Sequence, residues 1–89
     1  MRFLPGLREF LSEREIIYTV RGYDMKTAVV TVEGVGRCKR TSLGRVYTHE
    51  ELSPYVHLSG FEGLKDWCDK INEFIIPGQD RWLYKVEVL

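Results

Sequence analysis

Residues Gly36 to Val46 read Gly-Arg-Cys-Lys-Arg-Thr-Ser-Leu-Gly-Arg-Val, eleven positions of which four are cationic and none acidic. The run follows the flexible corner Gly34-Val35-Gly36 and reads as a strand, and its charge makes it a basic strand in a chain whose formal net charge is zero. The compensating acidity lies elsewhere. From Arg14 to Arg45 there are seven Lys or Arg and three Asp or Glu, whereas from His49 to Asp80 there are two basic and seven acidic residues. Such asymmetry suits a polyanion on one side of the molecule; solvated faces that keep a small domain soluble are an equally common explanation.

Upstream of the basic strand, Lys26-Thr-Ala-Val-Val-Thr-Val-Glu33 reads as its hairpin partner, with Gly34-Val35-Gly36 as the corner. Further back, Ile16-Ile17-Tyr18-Thr19-Val20-Arg21 is dense in β-branched and aromatic residues and stops at Gly22, which predicts the first strand. Leu4, Leu7, Phe10 and Leu11 recur at helical spacing, with Pro5 acceptable in an opening turn, so a short amphipathic helix over Leu4 to Glu13 precedes it.

Downstream, Thr48-x-x-Glu51 and Ser59-x-x-Glu62 both have capping-box spacing. They predict a short helical turn and then a helix from about Phe61 to Phe74, with Leu64, Trp67, Cys68, Ile71 and Phe74 on its apolar face. Pro77-Gly78 ends that region, and Trp82 to Leu89 alternates into a terminal strand. Four strands with short helices give an α+β class. They are too few βα alternations for a doubly wound sheet and fit a small mixed β-barrel capped by helices.

The 89 residues, 44% hydrophobic, form one domain, residues 1–89, with a single small core. No run approaches the ~20 apolar residues of a membrane span, and the opening Met-Arg-Phe-Leu-Pro-Gly lacks an export signal, so a cytoplasmic protein is expected. Cys38 and Cys68 are far apart and match no metal or redox spacing, which predicts two buried thiols, no metal and no cofactor. The single Asn and single Gln fit a heat-adapted source.

Several blocks, taken in order, resemble the ASCH domain of the PUA-like superfamily of small RNA-associated β-barrels. Tyr18-Thr19-Val20-Arg21 is similar to the family's strand with Thr or Ser two residues before Arg. Val35 to Val46 resembles the Gly-Arg strand that follows, Leu58-Ser-Gly-Phe-Glu-Gly-Leu64 with Trp67 resembles the Gly-Phe helix entry, and Tyr84-Lys-Val-Glu-Val88 resembles the closing strand. The resemblance implies a partner that is RNA or a nucleotide. Some family members hydrolyse acylated cytidines with a Thr nucleophile, a Lys and a Glu. Thr19 matches that Thr, but Ile16 and Ser59 stand where the Lys and Glu would be, and a threonine hydroxyl without a base is a poor nucleophile. Glu15, Glu50 and Glu51 are the carboxylates that a substitute base would have to come from.

The expected binding residues are therefore Thr19, Arg21, Lys26, Arg37, Lys39, Arg40 and Arg45, with Thr19 and Arg21 in a small cleft. Strand alternation puts Arg37, Lys39, Thr41 and, if no bulge intervenes, Arg45 on one face and Arg40 on the other. Tyr18, Tyr23 and Tyr47 are candidate stacking residues, and His49 and His57 are read as surface or capping residues. The leading expectation is a non-enzymatic RNA- or nucleotide-binding module. Its rivals are an amidohydrolase using Thr19 and a protein-interaction domain whose acidic helical side meets a basic partner or a second copy of itself, a homodimer being favoured by a short edge strand.

Overall fold

A computed structural model describes residues 1–89. Its elements, in chain order, are α1 (Pro5–Arg14), β1 (Ile16–Arg21), β2 (Ala28–Val32), β3 (Gly36–Val46), a run of 3-10 turns (His49–Leu58), α2 (Leu64–Phe74) and β4 (Arg81–Val88). The strands form one antiparallel sheet in the order β1-β4-β3-β2, with β1 and β2 at the two edges. The sheet does not close on itself, so no ladder joins β1 to β2. The N-terminal segment touches both edges instead: the Met1 nitrogen donates to the Thr31 carbonyl at 3.0 Å, while Arg21 donates to the Arg2 carbonyl at 2.8 Å.

Each face of the sheet buries its own core. Ile17 lies opposite Val86, and together with Cys38, Val32 and Leu11 they form the core under α1. Val20 lies opposite Leu83, and these meet Val46, Leu52, Trp67, Cys68, Ile71 and Ile75 in the core under α2 and the 3-10 turns. Period-two alternation along β1 and β4 is what sends neighbours to the two layers. Both cysteines are free and buried, one in each core.

Since β1 and β2 sit at opposite edges, residues 22–27 must cross the sheet to connect them. They do so on the α1 face. The buried Tyr84 hydroxyl accepts from the Met25 amide and donates to the Tyr23 carbonyl, and the Ser42 amide donates to Thr27 Oγ1 at 3.0 Å. Crossing main chain has no ladder partners of its own, so side chains satisfy part of it. This crossing also shortens the second strand, which runs over Ala28–Val32 rather than from Lys26 to Glu33.

The alternation of β3 breaks once. Ser42 lies opposite Tyr84 and Gly44 opposite the adjacent Leu83, leaving Leu43 as the extra residue of a β-bulge. Cys38 and Val46 are an even number of residues apart yet reach opposite cores, because the bulge reverses the facing after Leu43. Gly44 adopts φ +101°, backbone that residues with a Cβ rarely enter.

The helix expected from Phe61 starts at Leu64. Ser59 does not cap it: its hydroxyl donates to the Val56 carbonyl at 2.7 Å and accepts from the Phe61 amide at 3.1 Å, closing the preceding turn. Gly60, at φ +85°, breaks the path, and Gly63 becomes the N-cap. Trp67, Cys68 and Ile71 are buried as the helical spacing predicted, but Phe74 is 67% exposed at the helix end. The Thr48-x-x-Glu51 box forms, with Thr48 as N-cap of the 3-10 run. No helix is long and apolar enough to cross a membrane.

Candidate functional site

A cleft of about 420 Å³ opens beside the β1 edge, between the chain entering α1 and the inner side of α2. Its floor comes from Tyr18 to Tyr23, and its walls are mostly apolar, including Phe3, Leu4, Phe61, Trp67 and Phe74. Strand β1 can contribute both Tyr18 and Thr19 because an edge strand exposes the flanks of its two faces together. Such a concave, mainly apolar site with few polar groups is the usual form of a small-ligand pocket.

Three cations, Arg2, Arg21 and Lys70, line this cleft, and no carboxylate does. Lys70 is paired with Glu73 at 3.0 Å, and Arg2 reaches Glu33 at 3.8 Å. Arg21 has no acidic partner. Its guanidinium stacks 4.9 Å from the Phe3 ring centroid and donates one hydrogen bond, to the Arg2 carbonyl, leaving most of its five donors free. Burial lowers its pKa from the ordinary arginine value and the nearby Arg40 charge acts in the same direction, against opposing effects of Tyr23 and Tyr84 that are each smaller than that of burial.

Thr19 is buried in the cleft floor, and its hydroxyl makes no hydrogen bond within the protein. No aspartate, glutamate or histidine lines the cleft beside it. Glu51 is engaged elsewhere, accepting from the Thr48 and Tyr47 amides at 2.6 and 2.7 Å. His49 lies by a separate polar dent with Arg45 and Asp80, and exposed His57 stands 6.4 Å from the Tyr18 ring centroid. No group of three or more His, Cys, Asp or Glu side chains is arranged to hold a metal.

The basic residues of β3 divide into three environments. Arg37 and Lys39 are exposed, on the same face as Thr41 and Lys85, and neither makes an ion pair. Arg40 faces the other way, over the Tyr84 ring, and donates to the Lys26 carbonyl and to Met25 Sδ. Arg45 does not continue the stripe of Arg37 and Lys39. The bulge at Leu43 turns it to the face of Trp82, where it pairs with Asp80 and stacks 5.0 Å from the Tyr47 ring centroid. Lys26 is exposed on the crossing segment.

Of the residues expected to act together, the fold brings Thr19 and Arg21 into the cleft and leaves Arg37 and Lys39 on open sheet. Among the tyrosines, Tyr18 and Tyr23 line the cleft, whereas Tyr47 covers Arg45. Sequence reasoning missed Phe3, Trp67 and Lys70 as cleft residues. Trp67 carried only the signal of an apolar helix-packing position and Lys70 that of a solvated helix face, while Phe3, ahead of the expected helix, carried no signal. Comparison with protein-family models, curated proteins and solved structures gives no match for this chain.

Proposed function

We propose that this chain is a small RNA- or nucleotide-binding module of the PUA-like, ASCH type, with the Thr19–Arg21 cleft as its ligand site. Arg21 carries the reading. A guanidinium in a mostly apolar cleft, backed by an aromatic ring and lacking an acidic partner, suits an anionic, planar ligand. Phosphate or a base carbonyl would occupy its free donors, and the aromatic walls would take the base. In this reading the open sheet is a curled PUA-like barrel whose seam is spanned by the N-terminal segment, and the exposed cations of β3 lie along the approach of an RNA backbone.

Hydrolysis is the weaker alternative, because Thr19 has no proton acceptor in the cleft and Lys70 is engaged with Glu73. The direct test is titration of Trp and Tyr emission with nucleoside monophosphates and short RNA at two salt concentrations, since Trp67 forms part of the wall. Saturable, salt-sensitive binding that is lost in Arg21→Ala is the expected result. Absence of binding at low salt, or binding indifferent to Arg21→Ala, overturns it.

A further inference from the structure

We infer that the uncovered half of the sheet is a track for single-stranded RNA that leads one base into the cleft. This rests on the nucleotide-binding reading of the cleft and adds the form of nucleic acid and its path.

On the α2 face, helix and 3-10 turns cover the sheet around Val46, Leu83 and Val20. Beyond them, Arg37, Lys39 and Thr41 on β3 and Lys85 and Glu87 on β4 form a polar surface. The register draws a line across it: Thr41 lies opposite Lys85, and Lys85 lies opposite Tyr18. Tyr18 also lines the cleft. The cationic surface and the ligand site therefore meet at one residue. Tyr55 packs edge-on against Tyr18 at 4.8 Å, and exposed His57 stands beyond it, so the junction is aromatic.

Charge selects the occupant. Arg37 and Lys39 have no acidic partner, and positions two apart on a strand hold same-face side chains about 6.7 Å apart. That is close to the separation of successive phosphates in an extended nucleic-acid strand. Crossing from β3 to β1 adds two interstrand steps, about 10 Å, so the track holds roughly two or three nucleotides before the cleft. A single strand fits this path, because its bases are free to unstack onto aromatic side chains, whereas a duplex would have to unpair before a base could enter. Glu87, opposite Lys39 and 3.3 Å from Lys85, is an acid on the path and opposes binding.

The test is an affinity series by fluorescence anisotropy, using a labelled mononucleotide, single-stranded RNAs of two to six nucleotides and a blunt RNA duplex. Affinity should rise to about four nucleotides and then level off, with the duplex weaker. Replacing Arg37 and Lys39 together by Ala should reduce the advantage of tetranucleotide over mononucleotide about tenfold and flatten the salt slope by about 1.4. Glu87→Gln should tighten tetranucleotide binding. If the mononucleotide binds but the tetranucleotide gains nothing, or the duplex binds as well as the single strand, the track is wrong and the cleft reading survives. If neither mononucleotide nor RNA binds, both fall.

Discussion

The Arg40 guanidinium donates twice to the carbonyl of Lys26, at 3.1 Å through Nε and 2.9 Å through one terminal nitrogen. That bond ties β3 to the segment carrying the chain from one sheet edge to the other. The Tyr84 hydroxyl holds the same segment from beneath, and Arg40 lies 5.9 Å above its ring centroid.

Arg40→Ala should therefore lower stability by about 1–2 kcal/mol through lost charge-assisted hydrogen bonds. Tyr84→Phe should cost a similar amount, about 1–3 kcal/mol, because the Met25 amide and Tyr23 carbonyl lose their shared partner. Urea unfolding checks both. A change within error for Arg40→Ala would mean that the crossing segment holds without it.

Arg21→Lys is expected to keep the fold and lose most nucleotide affinity. A lysine retains charge but not the planar stack on Phe3 or the forked donors. Binding titration beside a thermal melt separates the two effects. Full affinity in the lysine variant would show that charge alone suffices.

Two glycines should respond to alanine with opposite signs, although a Cβ at either meets nothing within 4 Å. Gly44→Ala forces a side chain into positive φ and should destabilise by about 1–3 kcal/mol. Gly6→Ala, in α1, should stabilise by about 0.5–1 kcal/mol through helix propensity and reduced unfolded-state entropy. Equal responses on denaturation would remove the bulge explanation.

Hydrogen bonds from the Thr48 and Tyr47 amides hold the Glu51 carboxyl below the usual glutamate range. A depressed folded pKa contributes stability that is present above the unfolded value, about 4.3, and is lost as pH falls through the folded value. The start of the 3-10 run should stay intact from pH 7 to 5 and loosen only in stronger acid. Amide NMR shifts of Tyr47 and Thr48 would show this, and a midpoint at or above an ordinary glutamate pKa would contradict it.

Burial pushes the thiols of Cys38 and Cys68 up from their ordinary pKa. Both should react slowly with iodoacetamide at pH 8 in the native protein and quickly in denaturant, since the thiolate is the nucleophile. Mass spectrometry of a labelling time course reads this. Native labelling at the denatured rate would show that both cores open freely.

The identity of every strand and of α1 was legible because local chemistry decides it. Ile16 to Arg21 carries the β-branched density of a strand, Gly34 to Gly36 supplies the corner of the β2–β3 hairpin, and Leu7, Phe10 and Leu11 carry helical spacing. Ser59 misled because a capping-box spacing says nothing about the backbone between its ends, and Gly60 turns away there. Phe74 misled because a helix end can outrun the surface it packs on.

By itself the sequence determined the strand and helix composition, the buried cysteines and the concentration of cations on β3. Tertiary pairing alone decided where those cations go. A one-residue bulge reverses side-chain facing, so Arg45 leaves the stripe of Arg37 and Lys39 and pairs with Asp80. Sheet order decided the rest: placing β1 at an edge opened the cleft around Thr19 and Arg21, and placing β2 at the other edge drew residues 22–27 across Tyr84 and committed Arg40 to holding them. Strand order and register are non-local properties, set by which faces bury together, and residue spacing along the chain does not encode them directly.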